Sequence, residues 1–219
     1  MRYPEDYINR VICGDCLEVM KNIPDKSIDL VFTDPPYGIN KEGIKNDESL
    51  EVYYKCLPEI YKVLKDKSFF VTFASIGRLP DFFLNNSFKY RWQYIIFINN
   101  GMVRGSIGFN RYISVLIFQK GKAKLKKPLL DIFECSTSSK QCKERTHPTE
   151  KRLDAIKKLI PAFSKEGEVI LDCFCGTGNI LLGCKELERN FIGIEINPEY
   201  CDVARKRLMN IPERLEEFI

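Results

Sequence analysis

The chain has 219 residues, of which 44% are apolar, so it is long enough for the hydrophobic core of one α/β domain. Its formal net charge of +4 permits binding to nucleic acid but does not demonstrate it. No stretch approaches the roughly 20 consecutive apolar residues of a transmembrane helix, and the amino terminus shows no apolar signal region. We therefore expect a cytoplasmic protein that does not contact a membrane.

The pattern of apolar residues predicts alternating strands and helices. The predicted strands cover residues 10–14, 28–33, 68–74, 92–98, 112–118, 169–171 and 190–195. The predicted helices cover residues 17–22, 50–64, 79–86, 148–163, 180–187 and 198–208. Strands 92–98 and 112–118 are expected to pair in antiparallel orientation. Together the elements predict an α/β fold with a doubly wound, mostly parallel sheet of seven strands.

The usage of cysteine and histidine argues against a metal site. The sequence has nine cysteines, several of which fall within the apparent strands and helices, and a single histidine. We expect reduced thiols rather than a disulfide framework. Cys13 and Cys16 form a lone C-x-x-C pair, whereas a structural zinc site needs about four ligands. A zinc or redox role for this pair is the weaker alternative.

The tetrapeptide Asp34-Pro35-Pro36-Tyr37 directly follows the apolar strand at residues 28–33. Two prolines end this strand abruptly, and the carboxyl ends of strands are where open α/β sheets bind ligands. A carboxylate, the carbonyl of Pro35 and an aromatic ring suit a planar base with an exocyclic amino group, because two acceptors meet its N–H bonds and the ring stacks. A plain turn, which Asp, Pro and the following Gly38 also favour, is the alternative.

A second motif predicts a site for a nucleoside. The apolar strand at 169–171 runs into a turn with Gly176 and Gly178, and the strand at 190–195 ends on Glu195. In such a βαβ unit the glycines let the backbone approach the ligand, and the acid binds ribose hydroxyls. The third glycine of a dinucleotide site is missing. Asp172, just before the turn, would repel a pyrophosphate but favour a cation such as a sulfonium with an ammonium group.

With both motifs in view, the chain resembles the DNA amino-methyltransferases that use S-adenosylmethionine. Residues 34–37 match their catalytic motif, residues 172–178 match their D-x-F-x-G-x-G cofactor motif, and residues 147–151 are similar to their H-P-T-x-K-P segment. The order of the motifs is the permuted one of the family's beta group. Two departures are Arg152, where a proline usually follows the lysine, and Cys173, where a proline usually follows the aspartate.

The resemblance implies a Rossmann-like methyltransferase fold over residues 1–219, with a target-recognition segment inserted at residues 99–145. It implies catalytic roles for Asp34, Pro35, Pro36 and Tyr37, with Tyr37 stacking on a base flipped out of the duplex. The residues that it implies for the cofactor are Asp15, Thr149, Lys151, Asp172, Phe174, Gly176, Gly178, Glu195 and Ile196. Thr149 and Lys151 would reach the cofactor carboxylate. Asp15 has a helix N-cap as its alternative role, and Ile196 has core packing.

Contacts with double-stranded DNA are expected from the segment 99–145. Arg104 and Arg111 are candidates for reading base edges. Lys124, Lys126 and Lys127 belong to a basic run that is a candidate for contacting phosphates. Solvated loop residues are the alternative in each case.

The leading hypothesis is therefore a site-specific DNA methyltransferase that transfers a methyl group from S-adenosylmethionine to adenine N6. Cytosine N4 is the nearest alternative. Members of the family that methylate cytosine more often carry Ser in place of Asp34, which favours adenine here. A non-catalytic subunit that binds nucleic acid is a further alternative, against which the two intact motifs argue. A homodimer, a partner restriction endonuclease and a role in restriction–modification stay open, as does the target sequence.

Overall fold

A sheet of eight strands runs through the centre of the protein. The computed structural model describes residues 2–39, 49–100, 103–104, 108–136 and 151–211. The strands are β1 (Arg10–Cys13), β2 (Ile28–Thr33), β3 (Leu64–Ala74), β4 (Lys89–Ile98), β5 (Val103–Arg104), β6 (Phe109–Asn110), β7 (Tyr112–Lys120), β8 (Ile132–Cys135), β9 (Val169–Asp172) and β10 (Asn190–Glu195). The helices are α1 (Cys16–Met20), α2 (Glu51–Val63), α3 (Leu153–Phe163), α4 (Asn179–Glu186) and α5 (Pro198–Met209).

The order of strands in the sheet is β1-β10-β9-β2-β3-β7-β4-β8. Only β7 runs against the others, because it pairs antiparallel with both β3 and β4 while every other pair is parallel. The mostly parallel sheet and the antiparallel pairing of β4 with β7 are thus confirmed. We call the edge at which β2 and β9 end the carboxyl edge, and the opposite one the amino edge.

Helices cover both faces of the sheet. α1, α2 and a 3₁₀-helical segment, Ile76–Phe83, pack on one face, and α3, α4 and α5 pack on the other. Successive residues of β3 alternate between the two cores, with Phe69 and Phe73 on the side of α3 and Phe70 on the side of α2. From Phe69 to Ala74 this strand is buried on both faces, so its residues there are apolar apart from Thr72 and show no polar alternation.

Three predictions about the elements were wrong in detail. The sheet has an eighth strand, β8, which is short and lies at the end of the sheet with Ile132 52% exposed, so its sequence carries little apolar pattern. The predicted helix at 79–86 is instead the 3₁₀ segment Ile76–Phe83, which contains Pro80 and a non-helical Arg78. The helix predicted from residue 148 begins at Leu153.

The predicted recognition segment is divided by the fold. Its described residues 99–100, 103–104 and 108–111 lie at or beyond the carboxyl edge, where β5 and β6 form a small antiparallel pair. β7 and β8, which follow, belong to the main sheet. The bounds 99–145 stay a prediction, and residues 137–145 lie outside the part of the chain that the structure describes. No helix of the described part is long and apolar enough to cross a membrane.

The adjacent strands β2 and β9 mark the switch point of the sheet. From β2 the chain passes through α2 to β3 on one side, and from β9 it passes through α4 to β10 on the other side and the other face. Connections that diverge in this way leave a crevice at the carboxyl edge, which is where such sheets bind ligands. The two sequence motifs follow these two strands directly.

Candidate active site

The carboxylate of Asp34, the first residue after β2, is held by two donors. The hydroxyl of Tyr37 donates to Oδ1, and Nζ of Lys151 lies 2.7 Å from Oδ2. The Asp34 side chain is 26% exposed and that of Lys151 is 11% exposed. The ion pair therefore lies in a partly shielded cleft, where charges interact more strongly than on an open surface.

Lys151 lies on the same side of the cleft as Asp34 and Tyr37. Besides its contact with Asp34, its ammonium lies 4.9 Å from the centre of the Tyr37 ring and 5.3 Å from that of Phe73, distances at which a cation is attracted to an aromatic face. The predicted contact of Lys151 with a cofactor carboxylate stays a prediction. Thr149, its predicted companion, lies outside the described residues.

The loop after Tyr37 needs a glycine and is supported by an arginine. Gly38 has a φ of +67°, and a Cβ at this position would lie 2.9 Å from the carbonyl carbon of Ser49. The guanidinium of Arg78 donates to the Gly38 carbonyl at 2.8 Å and also binds Asp81 at 2.8 Å. Sequence reasoning did not select Arg78, because nothing in the local pattern links it to a loop 40 residues earlier.

The turn after β9 is built on two left-handed glycines and one acid. Gly176 has a φ of +50° and Gly178 of +88°, conformations that side chains with a Cβ rarely adopt. A Cβ on Gly178 would lie 3.0 Å from Cβ of Ala204 in α5. Glu195, at the end of β10, accepts backbone N–H groups from Gly176 at 2.9 Å and from Asn197 at 2.8 Å. The strand-end acid thus orders the turn.

Asp172 is fully buried between the two motifs. Burial raises the pKa of its carboxyl group from the ordinary value of 3.8 to about 7, and the charges of Asp34 and Glu195 act in the same direction. Hydrogen bonds from the Thr33 hydroxyl at 2.6 Å and the Phe174 amide at 3.2 Å oppose this rise in pKa. A carboxyl group of this kind, near neutral pH, is well suited to a cationic ligand, whose charge would favour its ionised form.

The remaining predicted cofactor residues surround the same edge. Ile196, after β10, is 40% exposed and so offers an apolar surface rather than core packing. Phe174 is partly exposed. Asp15 follows β1, whose Cys13 pairs with Glu195, and its carboxylate accepts the Leu17 amide at 2.9 Å. The N-cap role of Asp15 is confirmed, and its contact with a cofactor stays a prediction.

The predicted DNA contacts lie at two different edges. Arg111 lies at the carboxyl edge, where its guanidinium donates to the carbonyl of Asn99 and lies 5.0 Å from the centre of the Phe97 ring. The backbone of Arg104 forms part of β5, beyond the same edge. Both positions are therefore at the carboxyl edge, the edge of the sheet that carries Asp34.

The three predicted lysines lie at the amino edge. They follow β7, which runs from Ser114, opposite Ala74, to Lys120, opposite Ser68, a descent of about 20 Å at 3.3 Å per residue. The amide of Lys126 donates to the carbonyl of Ala162 at 2.8 Å. A cavity of about 450 Å³ lies at the same edge. Its lining includes Phe69, Trp92, Lys124, Leu125 and Phe163.

The cysteines form no metal site among the residues that the structure describes. Cys13 is exposed, whereas Cys16 turns into the core, where its sulfur lies 3.3 Å from that of Cys56. The two members of the C-x-x-C pair therefore face different environments. All eight cysteines in the described part are free thiols.

Known proteins are similar to this chain in sequence and in fold. Residues 85–206 match the DNA methylase family of N6 and N4 methyltransferases. Type II methyltransferase M.HinfI of Haemophilus influenzae is 30% identical over 251 residues, which cover 94% of this chain and 70% of that protein. This chain belongs to the DNA methylase family. It is a DNA methyltransferase that uses S-adenosylmethionine, as the motifs at residues 34–37 and 172–178 predict.

Solved structures confirm the methyltransferase fold. The crystal structure of the M1.HpyAVI–SAM complex has a TM-score of 0.67 and 28% identity, and the match covers 90% of this chain and 98% of that one. A PvuII DNA methyltransferase described as cytosine-N4-specific has a TM-score of 0.71 at 18% identity, with 94% of this chain and 87% of that one covered. The second likeness shows the fold alone.

The first prediction concerns the buried carboxyl group of Asp172. Because the pKa of Asp172 is raised in the folded protein, its ionised form lowers the free energy of unfolding. This loss is complete above pH 7 and disappears as the pH falls toward 4. Asp172→Asn removes the charge and keeps an acceptor for Thr33. We expect this variant to gain stability relative to the wild type near pH 8, by at most about 4 kcal/mol, since one pKa unit corresponds to about 1.4 kcal/mol.

Urea unfolding of the cofactor-free protein near pH 5, 6.5 and 8 measures this gain. The relative stability of Asp172→Asn should rise steadily with pH. The control is Asp131→Asn, at an exposed position, which should show no such trend. A stability difference between Asp172→Asn and the wild type that is the same at all three pH values would contradict the raised pKa.

Proposed function

We propose that the protein methylates N6 of adenine in double-stranded DNA, on a base turned out of the helix into the cleft after β2. The observation that carries this proposal is the Asp34 carboxylate, which is fixed by Tyr37 and Lys151 beside the buried Asp172, to which Thr33 donates at 2.6 Å. An acceptor for an exocyclic amine and a group that favours a cation thus lie at the ends of neighbouring strands.

The chemistry of Asp34 follows from the properties of an exocyclic amine. Its nitrogen is a poor nucleophile, because the lone pair is delocalised into the ring. When the amine donates hydrogen bonds to Asp34 and to the Pro35 carbonyl, a pyramidal nitrogen is favoured. Its lone pair then becomes available for attack. Asp34 then takes the proton that the methylated nitrogen loses, directly or through water. S-adenosylmethionine, when bound, supplies the methyl group on a positively charged sulfur.

Lys151 and Tyr37 need not leave Asp34 for this role. Each carboxylate oxygen accepts more than one hydrogen bond, so Asp34 can accept an amine N–H while Lys151 stays at its other oxygen. The ammonium then fixes the orientation of the carboxylate. Tyr37, with its hydroxyl on Asp34, presents its ring near the same point and offsets part of the lost base stacking.

The cofactor is proposed to lie over the turn after β9. Asp172 would favour its positive charge, Glu195 would bind ribose hydroxyls with the lone pairs that its two backbone contacts leave over, and Ile196 would cover the adenine. Lys151 and Thr149 would reach the carboxylate of the cofactor. The remaining proposed cofactor residues are Asp15, Phe174, Gly176 and Gly178.

The choice of adenine rests on Asp34. By analogy with the family, Asp at this position is associated with adenine and Ser with cytosine. Cytosine N4 is the alternative, since its exocyclic amine would make the same contacts. A non-catalytic subunit is disfavoured by the intact catalytic motif. We also propose, from the kinship with Type II methyltransferases, a partner restriction endonuclease; a homodimer is a further proposal.

The second prediction concerns the methylated product. Treated duplex DNA should contain N6-methyladenine, and none should form with Asp34→Ala, because this variant lacks the acceptor for the amine. Asp34→Asn, the matched control, keeps one acceptor oxygen and should retain weak activity. Mass spectrometry of the nucleosides measures the product. N4-methylcytosine would support the alternative base, and methyl on carbon C5 of cytosine would contradict the mechanism.

The third prediction concerns the DNA surface. If Arg111 reads a base edge, Arg111→Ala should reduce discrimination between target and non-target duplexes about 5- to 100-fold, since one such contact is worth roughly 1–3 kcal/mol. The triple charge reversal of Lys124, Lys126 and Lys127 serves as comparison. Because these lysines lie at the amino edge, farther from the cleft than the screening length of about 8 Å at physiological salt, we expect it to change DNA affinity there less than about twofold.

Fluorescence anisotropy over a range of salt concentrations measures both variants. A large loss of affinity for every duplex in the lysine variant, with a flatter salt dependence, would instead support the phosphate contacts that the sequence predicts. Unchanged discrimination in Arg111→Ala would contradict a base-reading role for that residue.

A further inference from the structure

Arg207, near the end of α5, forms hydrogen bonds to the turn at residues 172–179, which we call the cofactor turn. Its guanidinium donates to the Thr177 carbonyl at 2.9 Å, to the Thr177 hydroxyl at 3.2 Å and to Oδ1 of Asn179 at 2.7 Å. Between these two residues Gly178 packs against Ala204, about one helical turn before Arg207. The turn is thus anchored to α5 both by contact and by charge-assisted hydrogen bonds, which are stronger than neutral ones.

Asn179 connects these hydrogen bonds of Arg207 to the side of the cleft that holds Lys151 and Asp34. While its Oδ1 accepts from Arg207, its Nδ2 donates to the backbone carbonyl of Lys151. Lys151 lies two residues before α3, and its ammonium binds Asp34 at 2.7 Å. One line of polar contacts therefore runs from α5 through the cofactor turn and the backbone of Lys151 to Asp34.

The two hydrogen bonds of Asn179 depend on each other. A side-chain amide has one oxygen that accepts and one nitrogen that donates, so binding of the oxygen by Arg207 directs the nitrogen toward Lys151. Without Arg207 the amide is free to rotate, and both ends of the link loosen. The link joins segments from distant parts of the chain, since Asn179 is 28 residues from both Lys151 and Arg207.

We propose that Arg207 and Asn179 are positioning residues that fix the distance between the cofactor turn and the Asp34–Lys151 pair. Group transfer requires reacting atoms about 3–3.5 Å apart, and a misplacement of about 1 Å can lower the rate about 100-fold. This inference rests on the proposed function, in which the donor and the acceptor of the methyl group are held by the loops after different strands, β9 and β2. A link between their loops therefore controls the alignment of the two reactants as well as binding of the cofactor.

Two substitutions separate the two arms of the link. Asn179→Asp keeps an oxygen for Arg207 but places an oxygen, instead of a donor, against the Lys151 carbonyl. This variant should bind S-adenosylmethionine within about threefold of the wild type, while its kcat falls roughly 10- to 100-fold at unchanged KM for DNA. Arg207→Lys loses the planar guanidinium that donates to Thr177 and Asn179 at the same time. This variant should weaken cofactor binding about tenfold in addition to lowering kcat.

Arg205→Lys is the matched control. Arg205 lies on the same helix, but its guanidinium binds the Val11 carbonyl at 2.9 Å and Asp202 at 3.1 Å, away from the turn. Cofactor affinity is measured by calorimetry, kcat and KM as label transferred to DNA, and the unfolding midpoint by a thermal scan. Arg205→Lys should leave cofactor affinity and kcat unchanged.

The proposal would be overturned if Asn179→Asp kept the wild-type kcat, or if Arg207→Lys kept the wild-type cofactor affinity. It would also fail if Arg205→Lys produced the same losses, or if Asn179→Asp lost affinity and unfolding midpoint together, because such results indicate a general loss of structure. The outcome does not depend on the proposed choice of adenine, since the label is counted in DNA whichever base carries it.

Discussion

The pairing of β2 with β9 is the constraint on which the carboxyl edge depends. These strands pair in parallel, with Leu30 opposite Ile170 and Val31 opposite Leu171, and neighbouring strands lie about 4.8 Å apart. Residues that are 139 positions apart in sequence, Thr33 and Asp172, thereby form a hydrogen bond of 2.6 Å. The loop with Asp34, the proposed acceptor for the amine, and the turn after β9, the proposed cofactor site, are adjacent for this reason, whatever their order in the chain.

Three carboxylates meet at this edge, and each is compensated differently. Asp34 has the ammonium of Lys151, and Glu195 accepts two backbone N–H groups. Asp172 accepts neutral hydrogen bonds, and burial raises its pKa to about 7. The edge therefore favours a cation next to Asp172, which matches the sulfonium and ammonium of the cofactor. The same arrangement explains why the turn would not suit the phosphates of a dinucleotide.

Local patterns in the sequence predicted the strands around the site, because each of these strands is an apolar run. The candidate site residues were then visible because they directly follow the ends of these runs. Local patterns could not predict β8, of whose four residues two are exposed and only Cys135 is buried. They also could not predict the link through Arg207 and Asn179, which depends on contacts between distant segments. The basic run after β7 shows a different limit. Its charge is visible in the sequence, but β7 runs antiparallel and carries the following lysines to the amino edge, away from Asp34.

A crystal structure of the protein with S-adenosylmethionine tests most directly the claim that the two motifs form one site. A target nitrogen must lie about 3 Å from the Asp34 carboxylate and about 3–3.5 Å from the methyl group. The account therefore predicts the methyl carbon within roughly 6 Å of an Asp34 carboxylate oxygen, on the side of the turn after β9. A cofactor bound in the cavity at the amino edge, or with its methyl group more than about 10 Å from Asp34, would contradict it.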